Sequence, residues 1–264
     1  MTSTPAPVRM LIDFDGTLVE PNVAIILVEE FADDGHRLAH QVDEELHSGK
    51  ITLREAWTRQ VAMLPADRVP EMAQWSVEHT PLRAGALELL GLLQQHRVPT
   101  YIVSGGLDFY IHPILRAAGI ELPVLSDSME RGPDGTLRVT HPHGHATCRL
   151  CGICKAQAVR TISPPATRTV FAGDGSTDKY AAEVADLVFA RRRLKGYCER
   201  SGIPFYPFEE FGPVTAQMRR WLEGSEPFPP LRSVGLASSP CPISSELAPT
   251  PGRLHGAAAA HSVA

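Results

Sequence analysis

Apolar residues along the chain fall into short continuous runs that predict buried strands. Four such runs lie at 8–14, 100–104, 169–173 and 187–190. Runs of this length, bounded by glycine or polar residues, are typical of parallel strands covered on both faces. Helical patterns lie between them, notably at 84–95 and 108–118. Strands that alternate with helices predict an α/β fold with a doubly wound parallel sheet.

The segment 23–81 follows a different pattern, with no convincing strand run and several helix-compatible stretches. Thr52, with Glu55 three residues later, predicts a capping box at the start of a helix over 56–63. Ligands bind at the carboxyl edge of an open α/β sheet. We therefore interpret 23–81 as a small helical cap, inserted after the first strand and lying over that edge.

Composition and turn residues predict the other divisions of the chain. Segments 1–22 and 82–226 are predicted to form the core around the sheet. Within it, Gly-Pro-Asp-Gly at 132–135 predicts a hairpin turn before a further strand. The segment 227–264 is rich in proline, alanine and serine and poor in large apolar residues. Because such a segment buries too little apolar surface to offset its chain entropy, we predict a disordered tail.

Length and charge narrow the class of protein. At 264 residues, of which 43% are hydrophobic, the chain can form a main domain and a smaller one. A formal net charge of -5 offers no basic surface to nucleic acid. No apolar run reaches the roughly 18 residues that span a membrane, and the start lacks a secretory signal pattern. Three of the five cysteines fall within seven residues, which suits a reducing compartment and predicts a cytoplasmic protein.

Two acidic residues follow the first predicted strand, in the sequence Asp13-Phe14-Asp15-Gly16-Thr17. Side chains two positions apart on an extended segment point the same way, and a glycine turn lets the backbone approach an anion closely. One carboxylate could attack phosphorus while the other handles the proton of the leaving group. The plain alternative is an aspartate-rich turn that ends a buried strand.

Two further polar loops also follow predicted strands. Ser104-Gly105-Gly106 offers a hydroxyl and exposed N–H groups, which suit a phosphate oxygen, although an ordinary loop has the same composition. Asp174 and Asp178 flank a glycine-containing loop. Such carboxylates can hold Mg²⁺ together with a substrate phosphate. The alternative for this pair is a solvent-exposed turn in which Asp178 caps the next helix.

Lys155 lies between these loops along the chain, at the predicted start of a helix over 155–162. Its ammonium group would neutralise phosphoryl charge and keep Asp13 ionised, although most lysines are only solvated. The carboxyl ends of parallel strands meet at one edge of a sheet. Because an acid pair, a serine, a lysine and a second acid pair occur in this order, we expect them to converge on one site.

This order of motifs resembles that of the haloacid dehalogenase-like superfamily, over roughly 8–191. The resemblance implies a phosphatase in which Asp13 is the nucleophile and Asp15 the general acid and base. An aspartate at position 15 sets the chain apart from haloacid dehalogenases and ion-pumping ATPases, whereas phosphomutases share it. The implied phosphate-binding residues are Thr17, Ser104, Gly105 and Lys155.

The same resemblance implies a magnesium site and a cap. Mg²⁺ would be bound by Asp13 and Asp174 with the backbone carbonyl of Asp15, and Asp178 would support the site directly or through water. The segment 23–81 resembles the C1 cap of this superfamily, which closes over small phosphorylated metabolites. Transfer of the phosphoryl group to an acceptor other than water, and a binding module without turnover, remain alternatives.

Longer blocks at 104–115, 145–155 and 171–191 resemble the MtnX-like phosphatases of subfamily IB, the phosphoserine phosphatase-like branch. This group acts in methionine salvage on 2-hydroxy-3-keto-5-methylthiopentenyl-1-phosphate, which the resemblance implies as the substrate. Phosphoserine phosphatases usually carry a glutamate nine residues after the nucleophile, where this chain has Asn22. Phosphoserine or another metabolite phosphate remains the alternative substrate. The sequence leaves the oligomeric state open.

A cluster of histidines and cysteines precedes Lys155. Its spacing suits tetrahedral Zn²⁺, and the candidate ligands of a structural zinc are His145, Cys148, Cys151 and Cys154. The alternative is a set of partly buried thiols and exposed histidines in a reducing cell. Three consecutive arginines at 191–193 are interpreted as a solvated turn, with the alternative that an arginine near the sheet edge assists phosphate binding.

Overall fold

The computed structural model describes residues 7–163 and 166–232. The strands in these ranges, numbered in chain order, are β1 (Val8–Ile12), β2 (Thr100–Leu107), β3 (Val124–Arg131), β4 (Leu137–Thr140), β5 (Arg168–Gly173), β6 (Leu187–Ala190) and β7 (Tyr206–Pro207). They form one sheet in the order β4-β3-β2-β1-β5-β6-β7. All neighbouring strands are parallel except β3 and β4, which pair antiparallel. The four strands predicted from apolar runs are confirmed as β1, β2, β5 and β6.

Ten helices accompany the sheet in the described ranges: α1 (Val23–Phe31), α2 (Gly35–His47), α3 (Leu53–Ala62), α4 (Val69–His79), α5 (Ala86–Gln95), α6 (Asp108–Ala117), α7 (Lys155–Ile162), α8 (Lys179–Val184), α9 (Arg192–Ser201) and α10 (Phe211–Leu222). The three helices predicted outside the cap are confirmed as α5, α6 and α7. None of the helices in the described part of the chain is long and apolar enough to cross a membrane.

Alternate residues of β1 face two different apolar cores. Ile12 belongs to a cluster that includes Leu89 of α5 and Trp221 of α10. Leu11 belongs to a second cluster that includes Val159 of α7 and Ala181 of α8. Because successive side chains of a strand point to opposite faces, helices cover the sheet on both sides. The doubly wound α/β fold predicted from the sequence is therefore confirmed.

The hairpin predicted at 132–135 joins β3 to β4. The backbone N–H of Gly132 donates to the carbonyl of Thr136 at 2.7 Å. Gly135 has a φ of 82°, a conformation that favours glycine. The turn residues Gly-Pro-Asp-Gly thus correctly predicted a hairpin in this segment.

The segment 23–81 contains four helices, α1 to α4, and no strand in this described stretch. Both halves of the predicted capping box are present at the start of α3: Glu55 N–H donates to Thr52 Oγ1 at 3.2 Å, and Thr52 N–H donates to Glu55 Oε2 at 2.7 Å. Leu27 and Met72 of this segment share an apolar cluster with Ile12 of the sheet. The helices thus pack on the core, and the assignment of 23–81 as a separate cap remains a prediction.

Residues 227–232 pack against the core, whereas the sequence predicted a tail that begins at 227. The ring of Phe228 stacks on Trp221 with 5.3 Å between centroids. The backbone N–H of Arg232 donates to Asp186 Oδ1 at 3.1 Å. The average composition of the segment did not predict this packing, because a single large apolar residue, Phe228, makes the contact with Trp221. The rest of the predicted tail, 233–264, lies outside the described residues.

Candidate active site

The predicted site residues lie at the carboxyl edge of the sheet. Asp13 follows β1 and Asp174 follows β5, and the register pairs Ile12 with Ala172, so the two aspartates stand at the ends of neighbouring strands. Ser104 lies on β2, on the other side of β1. Contrary to expectation, β2 does not end at Ser104 but continues to Leu107, with irregular pairing to β3.

A tight turn at Phe14–Leu18 carries the backbone from Asp13 toward Asp174. Gly16 in this turn has a φ of 74°. A Cβ atom at this position would lie 2.5 Å from Asp174 Oδ2, closer than atoms can approach without contact strain. The turn therefore requires glycine both for its dihedral angles and for its closeness to the second aspartate.

Lys155, the first residue of α7, joins two of the aspartates. Its Nζ donates to Asp13 Oδ1 at 2.5 Å and to Asp178 Oδ1 at 2.6 Å. The hydroxyl of Thr17 lies 3.0 Å from Asp13 Oδ2 and 3.3 Å from Asp174 Oδ1. Both oxygens of Asp13 are thus held by donors, which fixes the orientation of its carboxylate.

Burial and charge shift the pKa values of this group. Burial raises the pKa of Asp13 well above its usual range, and repulsion from Asp178 adds to it, while Lys155 opposes it. Burial lowers the pKa of Lys155, but Asp13 and Asp178 outweigh it, so the pKa of the ammonium group is raised. Burial and Asp178 together raise the pKa of Asp174 to about 6. One ammonium group thus leaves the carboxylates only partly compensated.

Asp13, Asp174 and Asp178 each place a carboxylate oxygen within 4.8 Å of the others. Asp178 is held there through its Oδ2, which accepts from the backbone N–H groups of Asp174 at 2.9 Å and Gly175 at 2.7 Å. The carboxylate of Asp15 is not part of this group. Clustered carboxylate oxygens are the ligands that a hard divalent cation prefers, and an added positive charge would relieve their mutual repulsion.

The carboxylate of Asp15 has other partners than that of Asp13, although the sequence predicted that the two side chains point the same way. Its Oδ1 accepts from the N–H of Val23 at 2.8 Å, and its Oδ2 accepts from the hydroxyl of Tyr110 at 2.9 Å and lies 3.5 Å from Ser104 Oγ. Burial raises the pKa of Asp15 to about 6, although the bonds from Val23 and Tyr110 lower it. A carboxyl group with this pKa can donate or accept a proton near neutral pH.

The sequence did not reveal Tyr110, which lies on α6 and is fully buried. Its hydroxyl is placed by the close approach of Gly106, where a Cβ atom would lie 2.2 Å from the tyrosine oxygen and 2.3 Å from Asp15 Oδ2. The one available signal was an aromatic residue a few positions after Ser-Gly-Gly, and this does not specify a contact with Asp15.

Gly105, a predicted phosphate-binding residue, faces the helical segment. A Cβ atom at Gly105 would lie 3.9 Å from Trp57 Nε1 and 4.0 Å from Leu53 Cδ2, both on α3. Ser104 is fully buried, and its Oγ accepts from the N–H of Gly106 at 2.9 Å. The loop thus lies between the carboxylates and α3.

Two buried arginines hold the turn that follows Asp13. Arg83 donates to the carbonyls of Thr17 at 2.8 Å and Gly16 at 2.9 Å. Arg191 donates to the same Gly16 carbonyl at 2.5 Å. The interpretation of 191–193 as a solvated turn is therefore wrong for Arg191, which is 5% exposed. Three consecutive arginines suggest a solvated segment. Arg191, however, directly follows β6 and is buried because it donates to the carbonyl of Gly16.

The four predicted zinc ligands do not gather into a metal site. Within the described ranges, the one group of at least three acidic, histidine or cysteine side chains with ligand atoms within 4.8 Å of one another is the aspartate group. The Nδ1 atom of His145 accepts instead from the backbone N–H of Thr147 at 3.2 Å and of Cys148 at 3.3 Å. The zinc prediction, on His145, Cys148, Cys151 and Cys154, is thus not supported: ligand-like spacing did not bring the ligand atoms together.

Comparison with known proteins agrees with the family resemblance found in the sequence motifs. The family profile for haloacid dehalogenase-like hydrolase matches residues 10–183. A protein of Exiguobacterium sp. named 2-hydroxy-3-keto-5-methylthiopentenyl-1-phosphate phosphatase is 32% identical over 213 residues, which cover 80% of this chain and 97% of the relative. A protein of Bacillus cereus with the same name is 28% identical over 218 residues, covering 82% and 98%.

Solved structures share the fold at lower identity. A substrate-bound phosphoserine phosphatase complex has a TM-score of 0.61 at 18% identity, and covers 81% of this chain and 99% of its own. A phosphoserine phosphohydrolase-like protein from Francisella tularensis has a TM-score of 0.62 at 17% identity, covering 80% and 99%. Because the family profile spans well over half of the sequence, the chain belongs to the haloacid dehalogenase-like hydrolases.

Proposed function

We propose that this hydrolase cleaves the phosphate monoester of a small cytoplasmic metabolite, with Mg²⁺ and through an aspartyl phosphate on Asp13. The observation that carries the proposal is the arrangement around Asp13. Its carboxylate contacts the ammonium of Lys155 at 2.5 Å and is grouped with Asp174 and Asp178. Such a site can hold a dianion and a divalent cation together.

The donor set fits magnesium. Asp13, Asp174 and Asp178 supply oxygen ligands within 4.8 Å of one another, and the raised pKa of Asp174, about 6, reflects burial and repulsion that a cation would offset. When bound, Mg²⁺ would supply positive charge against the oxygens of the phosphoryl group. We propose that these three residues hold it, with the backbone carbonyl of Asp15 as a further ligand.

In the first step, an oxygen of Asp13 attacks phosphorus. The bond from that oxygen to phosphorus forms while the bond from phosphorus to the leaving oxygen breaks. Asp15 gives its proton to the leaving oxygen, a role that its pKa of about 6 suits. Lys155 offsets the negative charge on the phosphoryl oxygens, with Thr17, Ser104 and Gly105 as further contacts.

In the second step, Asp15 is ionised and takes a proton from water. The water oxygen attacks phosphorus, the bond to Asp13 breaks, and inorganic phosphate leaves. Asp15 ends the cycle protonated, as it began. Because the carboxylate of Asp15 is held by Val23 N–H on one oxygen and Tyr110 on the other, it can return to the same position for each transfer.

We propose 2-hydroxy-3-keto-5-methylthiopentenyl-1-phosphate as the substrate, since relatives of 27% to 32% identity carry that name over nearly their whole length. Phosphoserine is the second candidate, because phosphoserine phosphatases share the fold. One observation weighs against it. Asn22, at the position of the phosphoserine phosphatase glutamate, uses its side-chain oxygen to cap α1 by accepting from Ile25 N–H at 3.3 Å.

We also propose that 23–81 acts as a cap over the site. Leu53 and Trp57 of α3 approach Gly105 within about 4 Å of where a side chain would begin. Closure of such a segment would exclude water during transfer to Asp13.

The test measures release of inorganic phosphate, with and without Mg²⁺, from the methylthio compound, from phosphoserine and from para-nitrophenyl phosphate. We expect magnesium-dependent turnover, a higher kcat/KM for the methylthio compound than for phosphoserine, and loss of nearly all activity in Asp13→Asn. Full turnover in folded Asp13→Asn would rule out the aspartyl phosphate. Binding without phosphate release would favour a silent module, and loss of substrate without free phosphate would favour transfer to another acceptor.

A further inference from the structure

A cleft opens beside Lys155, between the histidine and cysteine loop and the segment after β5. Its cavity volume is small, about 20 Å³, and the cleft opens in part to solvent. Five of its nine lining residues are aliphatic or thiol-bearing, namely Cys148, Leu150, Cys151, Ile153 and Cys154, and the others are His145, Lys155, Thr177 and Tyr180. The side chain of Lys155 thus contributes to the cleft and, through Nζ, contacts Asp13 at 2.5 Å.

The rim of the cleft carries an apolar side chain in an unusual setting. Leu150 is 40% exposed, one of three large hydrophobic residues with such exposure in the described ranges. Ile153, at the base, is 3% exposed. An apolar wall that runs from a buried base to an exposed rim is suited to an apolar group that covers Leu150 when it binds.

The loop that forms this wall is fixed at several points. Arg54 of α3 donates to the carbonyl of Cys151 at 3.2 Å, and Cys154 N–H donates to the carbonyl of His143 at 3.1 Å. At Gly152, a Cβ atom would overlap the carboxylate of buried Asp127, with 1.7 Å between the atoms. The loop is therefore packed tightly between α3 and β3.

We propose that this cleft binds the methylthioalkyl end of the substrate, so that the loop 145–154 of the core determines specificity together with the cap. The inference rests on the proposed function. In the compound for which the relatives are named, the phosphate is on carbon 1 and the methylthio group on carbon 5. Lys155 contacts Asp13 and also lines the cleft, so the far end of a substrate whose phosphate is held at Asp13 can extend there. Thioether, thiol and aliphatic groups are compatible in polarity.

The same wall disfavours phosphoserine. The residues that line the cleft include no carboxylate in the part of the chain that the structure describes. An ammonium group placed there would meet Lys155 rather than an acidic partner, and would lose hydration without compensation. This is a second reason, independent of Asn22, to favour the methylthio compound.

The experiment compares two substrates in three variants. The substrates are the methylthio compound and the same 1-phosphate without its methylthio group. The variants are Leu150→Ala, Leu150→Asp and, as a matched control, Leu87→Asp. Leu87 lies on α5, away from the cleft, and is 54% exposed. Circular dichroism melting curves establish that each variant is folded.

We expect the ratio of kcat/KM for the methylthio compound over the shortened one to fall about tenfold in Leu150→Asp. Leu150→Ala should give a smaller fall, and Leu87→Asp should keep the wild-type ratio. If the wild type hydrolyses both compounds and the ratio stays the same in both Leu150 variants, the cleft is not the binding site, while the proposed function stands. If the wild type hydrolyses neither, the proposed function fails and the inference with it.

Discussion

Among single residues, Asp174 shows most directly that the site favours a bound cation. It is 8% exposed, and burial and Asp178 raise its pKa to about 6. Arg192 lies 3.7 Å from Asp174 but is itself 55% exposed, so solvent weakens its effect. A buried carboxylate of this kind destabilises the metal-free fold at neutral pH and provides a strong ligand for a cation.

The first prediction concerns Asp174→Asn in protein freed of metal with a chelator. The folded pKa is raised above 3.8, so the ionised form costs stability at pH values above about 6. We expect the variant to raise the free energy of unfolding at pH 7.5 by on the order of 2 kcal/mol, and Tm by about 2–4 °C for each kcal/mol. Calorimetry measures both.

The pH dependence of the stability difference between Asp174→Asn and the wild type tests whether the charge of Asp174 is its cause. As pH falls through about 6 toward 4, Asp174 becomes protonated in the folded wild type before it does in the unfolded chain. The advantage of the asparagine should therefore shrink and disappear. Added Mg²⁺ should raise the Tm of the wild type and leave that of Asp174→Asn unchanged. A variant less stable than metal-free wild type at pH 7.5 would contradict this account.

The second prediction concerns Tyr110→Phe. The tyrosine hydroxyl donates to Asp15 Oδ2 at 2.9 Å and lowers the pKa of that carboxyl, which burial holds at about 6. Without this donor the pKa rises further, so less of the ionised base is present at a given acidic pH. We expect both limbs of the kcat profile to move to higher pH, with a several-fold loss at pH 6, where the second step needs ionised Asp15, and no loss at pH 8, where the first step needs its protonated form.

A matched control for this prediction is Tyr101→Phe, on β2 and packed against the second apolar cluster. It removes a hydroxyl of the same kind without touching Asp15, so its profile should follow the wild type. The measurement is kcat at saturating Mg²⁺ and substrate from pH 5 to 9. If Tyr110→Phe lowered kcat equally at every pH, the tyrosine would position Asp15 without shifting its pKa.

At the scale of elements, the site motifs could be predicted because each is adjacent to a buried strand or begins a helix. Asp13, Ser104 and Asp174 lie where the chain leaves the apolar runs, and a parallel sheet brings such points to one edge. The strand β3 could not be predicted, since its sequence Val124–Arg131 mixes polar and apolar residues. It pairs in parallel with β2 on one side and antiparallel with β4 on the other, and this pairing decides its structure.

Contacts between residues far apart in the sequence could not be predicted either. Arg83 reaches the carbonyl of Thr17, which is 66 residues away, and no local pattern encodes such a pair. The zinc hypothesis failed for the opposite reason. Its local spacing was favourable, but the loop directs Cys148, Cys151 and Cys154 toward a cleft rather than toward a common point.

The third prediction tests how closely α6 approaches the turn after β1. In Gly106→Ala, the new Cβ would lie 2.2 Å from the hydroxyl of Tyr110 and 2.3 Å from Asp15 Oδ2. We expect it to displace one or both groups and to lower kcat at least about a hundredfold, as removal of a positioned acid-base group does. Stability should fall as well, by about 1–3 kcal/mol, because the space is filled.

The control is Gly91→Ala on α5, where a Cβ would meet no atom within 4 Å. An alanine inside a helix should raise stability by about 0.5–1 kcal/mol, and kcat should stay at the wild-type value. Assay of kcat and thermal melting separates the two effects. Normal turnover in Gly106→Ala would mean that Asp15 and Tyr110 need not be in contact during catalysis.

Over the whole molecule, two arginines connect the turn after Asp13 to distant parts of the chain. Arg83, just before α5, donates to the carbonyls of Gly16, Thr17 and Val19 and also to that of Glu209 at 3.2 Å. Arg191, after β6, donates to Gly16 and to Glu209. The turn that carries Asp15 is therefore held by the segment after the helical insertion and by the C-terminal part of the core.

The fourth prediction is that Arg83→Met loses both stability and activity. Arg83 is 5% exposed, and its removal leaves several carbonyl groups without a donor, at about 1–3 kcal/mol for each that remains buried. We expect the free energy of unfolding to fall by about 3 kcal/mol or more, with a Tm lower by about 2–4 °C per kcal/mol. Arg193→Met, an exposed arginine on α9, should leave both quantities unchanged.

The comparison that separates positioning from simple destabilisation is made well below the Tm of Arg83→Met. There the variant is folded, so a lower kcat reflects a misplaced turn. Because Gly16 directly follows Asp15, loosening its carbonyl displaces Asp15, the proposed acid-base group, more than the proposed phosphate contacts of Lys155 and Ser104. We therefore expect kcat to fall while KM stays near the wild-type value. A rise in KM with normal kcat would place the role of Arg83 in substrate binding instead.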